Sequence, residues 1–291
     1  MPDTRATLPN FIVVGAQKAG TTSIYAQFKG HPQVFVSPGK EVAFFSDDDL
    51  YALGRTYYES FFADHADEPV IGEATPAYHY VPGVPERMHP LVPDAKLVFS
   101  LRDPIERAYS AYRMQIWKRA EDHEVSFLEA IRKNPRYLDH GRYAEQLVRY
   151  YRYFQRKQIL IVWFDDLRQN PARFYNDICA FLSIDRFDFE NTGVKHTLRS
   201  RSHGNPVVQS GLRTMRSAYD ALGRGPLALI VGSQAVKKFS RGLRRSLLKK
   251  LTGSRPPPLP PETRRMVLPM IEESNNLLEQ MTGRDLSTWN S

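Results

Sequence analysis

Three observations predict an α/β fold in three layers, a central parallel sheet flanked by helices, with a helical carboxyl-terminal region. Short β-rich apolar runs alternate with stretches of helical periodicity up to about residue 190. The first run, Phe11–Gly15, passes through a glycine-bearing turn straight into a helix. Beyond residue 190 the pattern changes to helices and loops, broken by the proline-rich stretch 255–261, which reads as a stiff connector. With 291 residues, 42% hydrophobic and 25% charged, the chain can bury a sizeable core and is neither disordered nor fibrous in composition. We read residues 1–190 as an α/β core and 191–291 as a helical extension completing the same domain.

Strands are expected near 11–15, 33–36, 69–72, 96–101 and 158–164, and helices over 21–29, 54–63, 103–118 and 141–155. Tyr143, Leu147, Tyr150, Tyr151 and Phe154 recur along one face of the last of these. The segment 174–182 reads as a helix with Cys179 on its buried side, and 261–282 as a helix ending near Gly283. Cys179 is the single cysteine, so no internal disulfide forms. With no signal sequence and no apolar run near ~18 residues, the expected location is the cytoplasm. No His/Cys cluster has metal-ligand spacing.

The turn after the first strand carries the chemistry. Gly15 and Gly20 have the G-x-x-x-x-G spacing of a P-loop, in which backbone N–H groups converge on phosphate oxygens and the next helix adds its positive end. A nucleotidase loop places Lys directly after the second glycine. Here Thr21 stands there and Lys18 precedes Gly20. A cation displaced toward the loop's start suits one 5′-phosphate bearing a transferable group better than a triphosphate held with magnesium. A second anion motif follows the run Leu97–Leu101. Arg102 offers a planar fork of donors, Asp103 can cap a helix, Pro104 suits its first turn, and Ser110 lies two turns in.

Gln17-Lys18-Ala19-Gly20-Thr21-Thr22-Ser23 resembles the 5′-phosphosulfate loop of sulfotransferases that use 3′-phosphoadenosine 5′-phosphosulfate (PAPS), and Arg102 with Ser110 resembles the family's 3′-phosphate motif. The resemblance implies a P-loop-type fold, PAPS as donor, adenosine 3′,5′-bisphosphate (PAP) as product, and metal-independent transfer. Lys40-Glu41-Val-Ala-Phe44-Phe45 is similar to the signature of the branch that includes heparan sulfate and bacterial carbohydrate sulfotransferases. It implies Glu41 as general base, with Lys40 facing the sulfate or the leaving phosphate. A carboxylate between apolar neighbours in a loop after a strand suits that work. The animal Golgi members carry a membrane anchor, so the chain is expected to be a bacterial or otherwise cytosolic member.

Glu73-Ala74-Thr75-Pro76-Ala77-Tyr78 resembles the branch's Glu-x-(Thr/Ser)-Pro-x-Tyr stretch lining the acceptor cleft, which makes Glu73, Tyr78 and His79 acceptor-side candidates. Glu73 and His79 are also alternative bases, His79 having the right intrinsic pKa. Animal enzymes usually carry Lys where this chain has Ala74, and losing that cation argues against a heparan-like acceptor. Tyr143, opening the 141–155 helix, matches the segment ahead of the family's acceptor-side helix. Arg199 and Arg201 are the candidates for the late basic loop that closes over the 3′-phosphate.

The net charge of +8 implies an anionic partner, which PAPS already supplies, so nucleic acid is not required. Much of the excess lies in 237–250, seven basic and no acidic residues, where Phe239, Leu243, Leu247 and Leu251 could line an amphipathic helix. A solvated surface helix, a dock for an anionic partner or acceptor, and peripheral attachment to an anionic membrane all suit it. The acceptor is a carbohydrate or a small alcohol or phenol, and the sequence specifies no oligomeric state. Two other readings of the whole stay open: a P-loop kinase using Asp165 or Asp166 to hold magnesium, and a non-catalytic polyanion-binding module.

Overall fold

All five expected strands form and pair into one parallel sheet. The computed structural model describes residues 8–118, 125–189 and 258–291. Strands β1 (Phe11–Gly15), β2 (Val34–Val36), β3 (Val70–Ala74), β4 (Lys96–Leu101) and β5 (Ile159–Trp163) lie in the order β2-β3-β1-β4-β5. Val13 of β1 sits opposite Ala74 of β3 and Val98 of β4. The carboxyl ends of β1, β3 and β4 therefore open side by side, where an open α/β sheet binds its ligand.

Helices α1 (Thr21–Phe28), α2 (Asp48–Ala52), α3 (Gly54–Glu59) and α4 (Val84–Met88) precede β4. After it come α5 (Pro104–Lys118), α6 (Phe127–Lys133), α7 (Arg136–Asp139) and α8 (Tyr143–Tyr151), then α9 (Phe164–Gln169) and α10 (Pro171–Leu182) behind β5. Toward the carboxyl end lie α11 (Pro261–Val267) and α12 (Glu272–Thr282).

Strand alternation decides which helix goes where. Ile12 and Val14 of β1 and Leu97, Phe99 and Leu101 of β4 face one side, against Tyr58, Met88, Leu147, Tyr150 and Leu278. Phe11, Val13 and Val98 face the other, against Ile24 and Phe28 of α1, Leu167 of α9, and Ile178 and Cys179 of α10. Because both faces are covered, the strands are mostly apolar rather than alternating with polar residues, Glu73 of β3 and Ser100 of β4 being buried exceptions. Burial pushes the Cys179 thiol up to about 12, as expected of an inert core residue.

The described residues fall into two compact units. Residues 8–112, 125–189 and 260–291 belong to the first, which contains the whole sheet. Residues 113–118, the end of α5, and 258–259 belong to the second. Arg199, Arg201 and the basic stretch 237–250 lie outside the described residues.

The helix expected over 141–155 spans only Tyr143–Tyr151, and two others give way to 3-10 turns where their periodicity runs on. The 261–282 stretch is broken by a 3-10 turn, Leu268–Met270. Pro269 lies in that turn, has no N–H to give and crowds the preceding one, so the apolar periodicity continues across a break in the backbone ladder. Similarly, the 54–63 helix ends at Glu59 and continues as the 3-10 turn Ser60–Phe62.

Phe28 closes α1 and is wholly buried, its ring meeting Phe11, Tyr175 and Phe189 with centroids 5.8, 6.5 and 5.5 Å away. Phe28→Ala should cost about 3–5 kcal/mol in chemical denaturation, because the cavity lies between a helix and a sheet that cannot both collapse into it. A loss below about 1 kcal/mol would contradict this packing.

Candidate functional site

The turn between β1 and α1 is held from behind by β4. The Ala16 N–H donates to the Ser100 carbonyl at 2.7 Å, and the Ser100 hydroxyl donates to the Ala19 carbonyl at 2.5 Å. Arg102, immediately beyond β4, donates to the Lys18 carbonyl at 3.3 Å. These bonds fix the turn without using its forward donors. Among the described residues the N–H groups of Gly20, Thr21 and Thr22 have no acceptor, as expected at the first turn of a helix whose cap, Gly20, has no side chain. They and the positive end of α1 make an anion-ready site.

Close approach explains Gly15. A Cβ there would lie 2.4 Å from Nδ1 of His79, so only glycine lets the ring pass beneath the turn. Lys18 has φ 72°, Glu41 φ 68° and Ala43 φ 61°, left-handed conformations that non-glycine residues rarely adopt. Among the described residues only one other non-glycine residue, Ser183 at the end of α10, has a positive φ. Strain of this kind concentrates where function over-determines the backbone.

Glu41 sits beside the end of β3, its N–H donating to the Ala74 carbonyl at 3.1 Å. Its carboxylate is exposed, at 60%, and pairs with Lys40 Nζ at 2.9 Å. The apolar enclosure expected from its neighbours is therefore absent: Val42, Phe44 and Phe45 turn inward while Glu41 turns out.

Glu73 occupies the opposite environment. It is 1% exposed and accepts from the hydroxyls of Tyr58 at 2.6 Å, Thr75 at 2.7 Å and Tyr78 at 3.1 Å. Burial pushes its carboxyl up to about 7, while the three hydroxyls pull the other way. The same hydroxyls organise the Glu41 loop. Ala43 N–H donates to Thr75 Oγ1 at 3.2 Å and Phe45 N–H to the Tyr78 oxygen at 3.4 Å. The aromatic segment 51–62 is used for packing, yet Tyr58 within it also holds Glu73. That role had no sequence signal beyond a tyrosine in an apolar setting.

The acceptor-side candidates are all buried. Glu73, Tyr78, His79 and Tyr143 are each at most 1% exposed. His79 directs Nδ1 at the Pro76 carbonyl, 2.6 Å, and Nε2 at the His140 carbonyl, 3.0 Å. Burial lowers its pKa to about 4, the nearby Arg107 and Arg149 cations adding to the effect, so at neutral pH the ring carries one N–H for two carbonyls. Neither His79 nor Glu73 has surface from which to take an acceptor's proton. Tyr143 donates to the Arg102 carbonyl at 2.9 Å, which makes it a support for the strand end.

Arg102 has its guanidinium 4.9 Å above the Phe164 ring and 3.2 Å from Glu106. Ser110 lies further along α5, buried to 8% exposure. Arg107 between them is wholly buried and donates to the Tyr137 carbonyl; its Nε and Nη1 have no partner among the described residues. Asp165 pairs with Arg168 at 3.9 Å and Asp166 with Arg284 at 2.8 Å, so both carboxylates suggested for a kinase-like metal site are engaged by arginines. Ser100 and Phe164 were not singled out from the sequence; a serine inside the apolar run Leu97–Leu101 was the one available signal.

Glu73 gives a pH signature with a definite sign. Its folded pKa of about 7 exceeds the ordinary 4.5, so between those values the folded chain binds more protons than the unfolded chain and stability falls as pH rises. His79 and His140, lowered from 6.5 to about 4 and about 3 chiefly by burial, act in the opposite sense between those values and 6.5, a window that overlaps the carboxyl's and is common to wild type and variant. Denaturation of wild type and Glu73→Gln across this range isolates the carboxyl: wild type should lose stability relative to the variant by up to ~1.4 kcal/mol per pH unit. A pH-independent difference would contradict the assignment.

Residues 8–217 match the family model described as Sulfotransferase domain. The human bifunctional heparan sulfate N-deacetylase/N-sulfotransferase 3 is 33% identical over 61% of this chain and 22% of its own length. The membrane-associated sulfotransferase kil1 of Dictyostelium discoideum is 34% identical over 52% of this chain and 33% of its own. The chain thus spans a fifth to a third of the length of these curated relatives. A crystal structure of a sulfotransferase from Alicyclobacillus acidocaldarius superposes with a TM-score of 0.69 over 98% of this chain and 100% of that one, at 23% identity, a likeness of fold. Among the described residues no helix is long and apolar enough to cross a membrane. The family match spans the sheet, the phosphate-type loop and the Arg102 strand end, and on that ground the chain belongs to the sulfotransferase domain family.

Proposed function

We propose that the protein transfers a sulfuryl group from PAPS to an acceptor hydroxyl of a carbohydrate or a small alcohol or phenol, leaving PAP. The observation that carries this reading is the pairing of unused N–H groups at Gly20, Thr21 and Thr22 with a guanidinium, Arg102, bonded to the same turn. Two anion-binding elements of different kinds, one of backbone and one of side chain, suit a ligand with phosphates at two ends. The donor supplies an activated sulfuryl group and a 5′-phosphate that gathers charge as the group departs.

The residues divide the work. The turn Gln17–Ser23, with the Lys18 ammonium, would hold the 5′-phosphate and stabilise that charge; Arg102 and Ser110 would hold the 3′-phosphate. Sulfuryl transfer, like phosphoryl transfer, gains most from positioning and charge stabilisation, so the fixed backbone donors carry much of the catalysis. Glu41 accepts the acceptor's proton. Its exposure supports this role, since an outside hydroxyl can reach it, and the Lys40 ammonium lies beside it at 2.9 Å. Glu73, Tyr78 and Tyr143 act from beneath: the first two brace the Glu41 loop and the third braces Arg102. Arg199 and Arg201 remain the candidates for closing over the 3′-phosphate.

The relatives that act on heparan sulfate support a carbohydrate acceptor. Ala74 argues against a polyanionic one, because it is buried at 1% exposure and offers no cation.

Incubation with radiolabelled PAPS and a panel of neutral oligosaccharides, N-desulfated glycans and phenols should label one acceptor class. Lys18→Ala should then lower turnover by about 100-fold or more, whereas Glu41→Gln should abolish transfer and leave PAP affinity within about threefold. Equal loss of PAP affinity in both variants would contradict this division of roles. PAP binding without transfer to any acceptor would favour the non-catalytic anion-binding module.

A further inference from the structure

We infer that Arg264, far along the chain in α11, is a positioning residue for the Arg102 phosphate contact. The inference rests on the donor reading above. Asp103, the residue after Arg102, uses one carboxylate oxygen to cap α5, accepting from the N–H groups of Ile105 and Glu106 at 2.9 and 3.0 Å. Its other oxygen accepts from Arg264 at 2.7 Å, and the two side chains are only 12% and 17% exposed. The Arg264 guanidinium also donates to the carbonyls of Trp289 at 2.7 Å and Ser291 at 2.5 Å. Trp289 packs edge-on against Tyr143 at 6.4 Å and against Trp163 at 5.6 Å, and the Tyr143 hydroxyl holds the Arg102 carbonyl at 2.9 Å. Arg102 is thus flanked by two anchors, one on its own carbonyl and one on the next side chain, and both lead to the carboxyl-terminal segment.

Charge gives the arrangement its consequence. A largely buried carboxylate one residue from a phosphate-binding arginine would repel the phosphate and compete for the guanidinium unless a second cation satisfies it. Arg264 is that cation. Without it, Asp103 either turns toward Arg102 or stands as an unpaired negative charge, and either outcome weakens the 3′-phosphate contact while the Ser100 bonds still hold the Gly15–Gly20 turn.

The test is calorimetric titration of full-length wild type, Arg264→Gln and the double variant Asp103→Asn/Arg264→Gln with PAP and with adenosine 5′-phosphosulfate, which lacks the 3′-phosphate. Arg264→Gln should weaken PAP about tenfold and change the 5′-phosphosulfate ligand less than about twofold; removing the Asp103 charge as well should restore most of the PAP affinity. An unchanged PAP affinity in Arg264→Gln overturns the inference, as does equal weakening of both ligands with a lowered melting temperature, the mark of a merely structural role. Wild type that binds no PAP overturns the donor reading first, and this inference with it.

Discussion

The turn after β1 presents its N–H groups because β4 and the residue just beyond it hold the turn from behind. Ser100 engages the turn twice, through its carbonyl to Ala16 and its hydroxyl to Ala19, and Arg102 adds a third hold at Lys18. A loop this tight would otherwise satisfy its donors internally and close the anion site. The parallel register makes the hold geometrically available, since β1 and β4 are neighbours and β4 runs past the Gly15–Phe99 pair to Leu101. The residue beyond β4 is then placed to be both a clamp on the loop and a second anion contact.

Two carboxylates with opposite solutions to burial support the site from either side. Among the described residues Glu73 has no cation against it and relies on three hydroxyls, while burial raises its pKa to about 7. Asp103 has a guanidinium and two backbone donors. The first solution suits a brace beneath the loop that carries the proposed base, Glu41. The second keeps this carboxylate engaged beside Arg102, the proposed phosphate contact. An exposed Glu41 on a loop fixed by buried hydroxyls gains precision without giving up access.

Much of this was legible in the sequence where the signal is local. β-branched and aromatic runs gave all five strands, and the glycine spacing with Lys18, Thr21 and Thr22 marked the anion turn. Pro104 and Asp103 marked the start of α5. What escaped depends on residues distant in the chain: Tyr58, Glu73 and Tyr78 meet only in the folded state, and Arg264 reaches Asp103 across 161 positions. Local neighbours also misled. Glu41 lies among apolar residues in sequence, but its left-handed backbone turns its side chain outward, and the periodicity of 261–282 hid the break around Pro269.

The account stands most directly on the identity of the anion at the turn. Titration of wild type and Arg102→Ala with PAP, and separately with magnesium-ATP, decides it. Micromolar, metal-independent binding of PAP, corresponding to about −8 kcal/mol, lost by roughly tenfold or more in Arg102→Ala and not matched by ATP, is the predicted result. Preference for magnesium-ATP, or PAP binding indifferent to Arg102, would contradict it.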